Sequence, residues 1–207
     1  MFHDLIVLAS ASPRRRELLA SLGVPLRLCP MDIDESVADH EHVSERVRTL
    51  ARLKAQAAGR SLQADDGARW ILGADTLVAL DERVYGKPAD RDDARRMLSE
   101  LAGRTHMVHS GLALLDRLND SAHTVLSSTS VSFAPLSPLE RDRYLDSGEW
   151  QGAAGAYRIQ EGAALFIERV EGSFSGVVGL PLREFYVILA QAGYPLYAEA
   201  AGEHRKP

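Results

Sequence analysis

Short apolar runs alternate with amphipathic stretches along this chain, and that alternation predicts an α/β protein. Leu5 to Leu8 reads as a first strand and Leu26 to Cys29 as a second. Between them a helix is expected from Pro13 to about Leu22. Ser12 suits the N-cap, Pro13 the first helical position, and Gly23 with Pro25 the stop. A second helix is expected from a Ser44 cap to about Ala58. At about 100° per residue, Val43, Val47, Leu50, Ala51, Ala57 and Ala58 share one face. Two apolar runs follow, Trp70–Gly73 and Leu77–Leu80, split by Ala74-Asp75-Thr76, then an Asp81-Glu82 turn and a return strand at Val84-Tyr85. Asp90 caps a helix with Ala94, Met97, Leu98 and Leu101 inward and Gly103 as its stop.

Thr105 to Leu115 and Thr124 to Phe133 read as long antiparallel strands. Ser137-Pro138-Leu139-Glu140 is a capping-box start for a helix to about Asp146. A strand over 164–170, a glycine-serine loop over 172–179 and a last helix opened by Leu180-Pro181 complete the pattern. In that helix Leu182, Phe185, Ile188, Leu189 and Ala192 face inward. The fold class is therefore α/β with a mixed sheet, since the long hairpin argues against a purely parallel one. One unit is expected over 1–198, with two lobes around a cleft, and a mobile tail over 199–207.

Composition narrows the classes. The 207 residues are 45% hydrophobic and 26% charged, with net charge −5, so no basic field invites nucleic acid. The single cysteine, Cys29, excludes an internal disulfide framework and fits a reducing cytoplasm; its apolar surroundings suggest a small buried hydrophobe. No apolar run is long enough to cross a bilayer, and no signal peptide is visible, so a cytoplasmic location without membrane partners is expected. His106, His109 and His123 lack metal-ligand spacing and are expected at the surface.

Candidate chemistry lies where charge is locally expensive. Arg14, Arg15 and Arg16 fall in the first turn of a helix, whose N-terminus already carries partial positive charge. Two readings stay open: a phosphate site made of amides and arginine forks, or a basic turn splayed into water. Lys54 projects onto the centre of an apolar helix face, as a snorkelling side chain or as a cation aimed at a ligand. Asp75 follows a buried run beside Gly73, a place for a metal ligand or general base, or for a carboxylate that satisfies turn amides. Lys87 stands alone in Gly86-Lys87-Pro88, and Glu35 lies between a strand and a helix in an acidic segment. Gln160 follows the dense glycine and alanine of 152–156. Its amide matches the N–H and C=O edge of uracil or thymine, though spacing alone favours an ordinary loop glutamine.

Seven short motifs then stand in order: Leu8 to Leu19 (LASASPRRRELL), Gly73-Ala-Asp-Thr76, Gly86-Lys-Pro88, Leu101 to His106 (LAGRTH), Ala154-Gly-Ala-Tyr157, Ile159-Gln160 and Val178-Gly-Leu-Pro181. In these the chain resembles the Maf proteins, nucleoside triphosphate pyrophosphatases with an ITPase-like fold, over nearly its whole length. The resemblance implies hydrolysis between the α and β phosphates with a divalent cation, Mg²⁺ or Mn²⁺, and suggests a homodimer. The family's specificity positions fall on Arg14, Thr76 and Gln160, the pattern of dTTP and UTP pyrophosphatases rather than of the 7-methyl-GTP group. Its catalytic aspartate falls on Asp75, its phosphate-handling residues on Ser10, Arg15, Lys54 and Lys87, and its acidic metal-site residues on Glu35 and Asp75; Arg16 has no role. The chain departs from many relatives at Gly152-Ala153, where they carry Asp-Lys, and at Arg158, where they often carry glycine. The competing class is a nucleotide-binding regulator of cell division with incidental hydrolysis.

Overall fold

The computed structural model describes residues 2, 4–39, 41–63 and 66–196; the tail expected at 199–207 lies outside them. Among the described residues a seven-stranded sheet organises the fold. Its strands are β1 (Ile6–Leu8), β2 (Leu26–Leu28), β3 (Trp70–Leu80), β4 (Arg83–Tyr85), β5 (Thr105–Asp116), β6 (Ser121–Phe133) and β7 (Ile167–Glu171). The order is β2-β1-β3-β5-β6-β7, with β4 also paired to β3. β1 runs parallel to β2 and β3, and every other pairing is antiparallel, so the sheet is mixed as expected.

β3 corrects the sequence reading most. The two apolar runs belong to one 11-residue strand, and Asp75 sits at its middle, not at the end of a strand. A charged residue inside an apolar run suggests a break, because an unpaired buried carboxylate is costly. Here the backbone keeps its ladder with β5 from Trp70 to Ala79. On its other side β3 is only partly covered: β1 pairs with Trp70 to Leu72, and β4 with Val78 to Leu80. Residues 73–77 lie between these two partners.

The helices are α1 (Pro13–Ser21), α2 (Val43–Ser61), α3 (Arg91–Leu101), α4 (Pro138–Ser147), α5 (Phe174–Val178) and α6 (Leu182–Gln191). Ser12 caps α1 as expected, its side chain accepting from the Arg15 amide. Asp90 caps α3, and all four predicted inward residues of that helix are buried. The Ser137–Glu140 capping box is complete, and Gly148 ends α4 in the left-handed region. α2 is capped by His42, not Ser44: the imidazole Nδ1 accepts from the Ser44 amide, which starts the helix two residues earlier. Its buried face is Val47, Leu50, Ala51, Ala55 and Ala58. The loop expected over 172–179 contains α5, made possible by the Ser173 hydroxyl accepting from the Gly176 amide. Residues Gly162–Phe166 form a 3₁₀ turn ahead of β7, where a strand is expected from 164.

Three apolar clusters surround the sheet. One packs Ile6, Leu8, Trp70 and Leu72 against α6; a second packs Val7 and Ile71 against α2; the third gathers α3, α4 and the far half of β3. β5 is therefore covered on both faces, which corrects the expectation of surface histidines. His106 is 1% and His109 8% exposed, and His123 is half-buried. Cys29 is only partly buried, its Sγ near Met31 and Ser61, so it is less enclosed than its apolar run suggests.

Candidate active site

A cleft of about 780 Å³ opens where β3 lacks a neighbour. Its wall includes every site residue named from the sequence: Ser10, Arg14, Arg15, Glu35, Lys54, Asp75, Thr76, Lys87 and Gln160. The strand itself sorts them. Successive side chains of a strand point to opposite faces, so Asp75 shares a face with Ile71 and Gly73, and Thr76 shares the other with Leu72 and Ala74.

The Asp75 face meets α2. Gly73 and Gly111 let that helix descend onto the sheet. A Cβ at Gly73 would lie 2.0 Å from the Ala51 carbonyl oxygen, and one at Gly111 2.5 Å from that of Val47. Close approach beside Asp75 is thus required, and the approaching group is a helix. The descent brings Lys54 over the strand. Its Nζ donates to Asp75 Oδ1 at 2.6 Å and to Glu35 Oε1 at 2.7 Å. Lys54 does not snorkel: it lines the cleft and bridges two carboxylates, with 13% of its side chain exposed. Glu35 opens a 3₁₀ helix, Glu35–Ala38, which Asp34 caps through the Ser36 amide. The other Asp75 oxygen, Oδ2, is buried without a hydrogen-bond partner in the protein.

The Thr76 face meets α1 and α5. Arg15 turns inward from the first turn of α1 and is 9% exposed. Its Nε donates to the Gly179 carbonyl at 2.8 Å, one terminal nitrogen to Ser10 Oγ at 2.9 Å and the other to Thr76 Oγ1 at 3.0 Å. Burial pulls this guanidinium below its usual pKa, and the Asp75 charge opposes that. Arg14 reaches the other way and donates to the Gly152 carbonyl at 3.1 Å. Its pKa is lowered by burial first and by the neighbouring Arg158 charge second. Arg16 is exposed, in keeping with its lack of a role. The basic first turn is therefore divided among two walls of the cleft and solvent.

At the far end Gln160 is exposed and donates from Nε2 to Glu161 Oε1 at 3.3 Å. Glu161 also pairs with Arg158, which donates to the Gln151 carbonyl as well. Lys87 is exposed on the cleft wall beyond β4. Sequence reasoning missed Ser110 and Glu161. Ser110 lies directly opposite Thr76 in the β3–β5 ladder and hydrogen-bonds it at 2.8 Å. Its only signal was a hydroxyl inside an apolar strand.

Among the described residues, no group of three or more His, Cys, Asp or Glu is arranged to hold a metal ion. The two carboxylates that Lys54 bridges suit a cation that completes its shell from a ligand. Mg²⁺ commonly binds through one or two carboxylates plus substrate phosphates and water.

Comparison with known proteins bears on the family. The family model described as "Maf-like protein" matches residues 5–192. The dTTP/UTP pyrophosphatase of Brucella abortus (strain 2308) is 44% identical, the match covering 93% of this chain and 94% of that one. That of Chromobacterium violaceum is 45% identical over 92% and 96%, and that of Anaeromyxobacter dehalogenans 46% over 92% and 95%. Among solved structures, the Staphylococcus aureus Ham1 protein is similar at TM-score 0.45 and 14% identity, over 63% of this chain and 72% of that one, too loosely to bear on function.

Proposed function

This chain belongs to the Maf-like protein family, and from that premise we propose that it hydrolyses dTTP and UTP to the monophosphate and pyrophosphate. The observation that carries the proposal is the Asp75–Lys54–Glu35 bridge on the floor of a cleft walled by further cations. Displacement at phosphorus asks a protein mainly for positioning and charge neutralisation. Arg14, Lys54, Lys87 and the remaining N–H groups of Arg15 are the cations that would surround a triphosphate, with Ser10 beside them. Asp75 Oδ2 is the acceptor for a water proton, while Lys54 holds the other oxygen and so fixes the carboxylate's plane. In the balanced step, the water oxygen bonds to phosphorus, the α–β anhydride bond breaks with its electron pair leaving on pyrophosphate, and the water proton passes to Asp75.

Glu35 and Asp75 are the residues that would hold a divalent cation, Mg²⁺ or Mn²⁺. Bound there, it would neutralise charge on the phosphate oxygens. Gln160, with Thr76 and Arg14, would select the base. A cytoplasmic location and a homodimer belong to the same reading; among the described residues no helix is long and apolar enough to cross a membrane.

The test is a panel of dTTP, UTP, dCTP and 7-methyl-GTP assayed for pyrophosphate release with and without Mg²⁺ or Mn²⁺. Turnover highest on dTTP and UTP is expected. Preference for 7-methyl-GTP would overturn the pyrimidine assignment, and tight binding without turnover would favour a nucleotide-binding regulator.

A further inference from the structure

The hydrogen bonds behind Thr76 have a direction. The Gly176 carbonyl can only accept, and Ser110 Oγ lies 2.7 Å from it, so the single Ser110 hydrogen is committed there. Thr76 Oγ1 lies 2.8 Å from Ser110 Oγ, and the hydrogen between them must then be the threonine's. Arg15, which can only donate, approaches Thr76 Oγ1 at 3.0 Å. Ser110 is 1% and Arg15 9% exposed, so water has little access to reverse this order. Thr76 alone of the three is only partly buried, and it lines the cleft. Its own proton points into the protein, and what it offers outward is a lone pair. Gly179 keeps the space beside it open, since a Cβ there would stand 3.7 Å from Thr76 Oγ1.

Resting on the pyrophosphatase reading, we propose that Ser110 is a positioning residue that fixes the Thr76 hydroxyl as an acceptor toward the cleft, so that the substrate group meeting it is a hydrogen-bond donor. Two parts of a thymidine or uridine nucleotide supply one: N3–H of the base, or a sugar hydroxyl. Cytosine presents a lone pair at N3 instead, and meets a lone pair at Thr76.

The experiment compares kcat/KM for dTTP, dCTP and 3′-O-methyl-dTTP in wild-type protein, Ser110→Ala and Thr76→Val, with thermal melting as the check on folding. Removing the Ser110 hydroxyl frees the threonine proton to turn outward, so Ser110→Ala should raise one acceptor-to-donor ratio by about ten-fold. A rise in dCTP over dTTP identifies N3–H as the donor; a rise in 3′-O-methyl-dTTP over dTTP identifies the sugar hydroxyl. A purely structural defect lowers all three substrates together, and unchanged ratios overturn the proposal. If Ser110→Ala does not fold, Thr76→Val carries the test, because deleting the lone pair must raise the same ratio; an unchanged ratio there overturns it equally. Wild-type protein that turns over none of the three substrates overturns the dTTP/UTP pyrophosphatase reading itself, a separate and recognisable failure.

Discussion

Lys54 Nζ lies 2.6 Å from Asp75 Oδ1, joining the middle of a helix to the middle of a strand across the floor of the cleft. The contact leaves Asp75 with one oxygen held and one free. Substituting Asp75→Asn keeps the shape and removes the free acceptor. Turnover of dTTP should fall by about 10²–10⁴-fold, the range for loss of a general base, with the melting temperature little changed. Pyrophosphate release measured beside a melting curve checks both halves.

Lys54→Met acts differently. It leaves the nearly buried Asp75 carboxylate without its cation. Stability should drop by about 1–3 kcal/mol, the cost of an unsatisfied buried polar group, together with turnover. In Lys54→Met combined with Asp75→Asn the stability loss should be smaller than in Lys54→Met alone. Denaturant unfolding of the three variants measures it.

Gly73→Ala should be among the most damaging single-methyl changes in the chain. The new Cβ would sit 2.0 Å from the Ala51 carbonyl oxygen, so α2 must lift. Overpacking of this kind costs about 1–3 kcal/mol or more. The lift also draws Lys54 away from Asp75, so residual activity per folded molecule should fall as well.

Arg15→Lys keeps the charge and loses the fork. The guanidinium joins Gly179, Ser10 and Thr76, and an ammonium cannot span all three. Stability should decrease by about 1–3 kcal/mol and discrimination between dTTP and dCTP should weaken, as read by melting and by the ratio of kcat/KM values.

His106 makes stability depend on pH. Burial pushes its pKa down to about 4 from an ordinary 6.5. Between these values the unfolded chain binds a proton that the folded chain refuses, so stability is full above about 6.5 and is lost as pH falls toward 4. The slope contributed is at most about 1.4 kcal/mol per pH unit. His106→Gln should flatten the melting temperature between pH 7 and 4 relative to wild type; parallel curves would refute the assignment.

Much of the scaffold was legible because it follows local rules. Ser12, Asp90 and the Ser137–Glu140 pair cap helices through bonds to amides three residues away, and α3 buries the face its spacing specifies. Arg14, Arg15, Lys54, Asp75 and Lys87 were legible as charges without local partners, whereas Ser10 and Thr76 stood out only through the family resemblance; all of them line one cleft. What was not legible lies in long-range contact. Nothing near Lys54 says that its partners are Asp75 and Glu35, since the descent of α2 depends on Gly73 and Gly111 in two different strands. The unbroken course of β3 escaped for the same reason: Asp75 looks like an interruption until its cation is in place. His106 and Ser110 are polar residues in a strand whose two covers come from distant parts of the chain.

The alternation of β3 has one more consequence. Asp75 and Thr76 are consecutive, yet one is served by α2 and the other by α1 and α5. The carboxylate and the hydroxyl are therefore mounted on separate supports, and Arg15, which reaches Thr76 from α1, carries charge to both. The peptide bond between Asp75 and Thr76 sits in a ladder shared with β5. On the proposed roles, a substitution behind Thr76 such as Ser110→Ala should change which nucleotide is accepted while α2 still holds the carboxylate through Lys54.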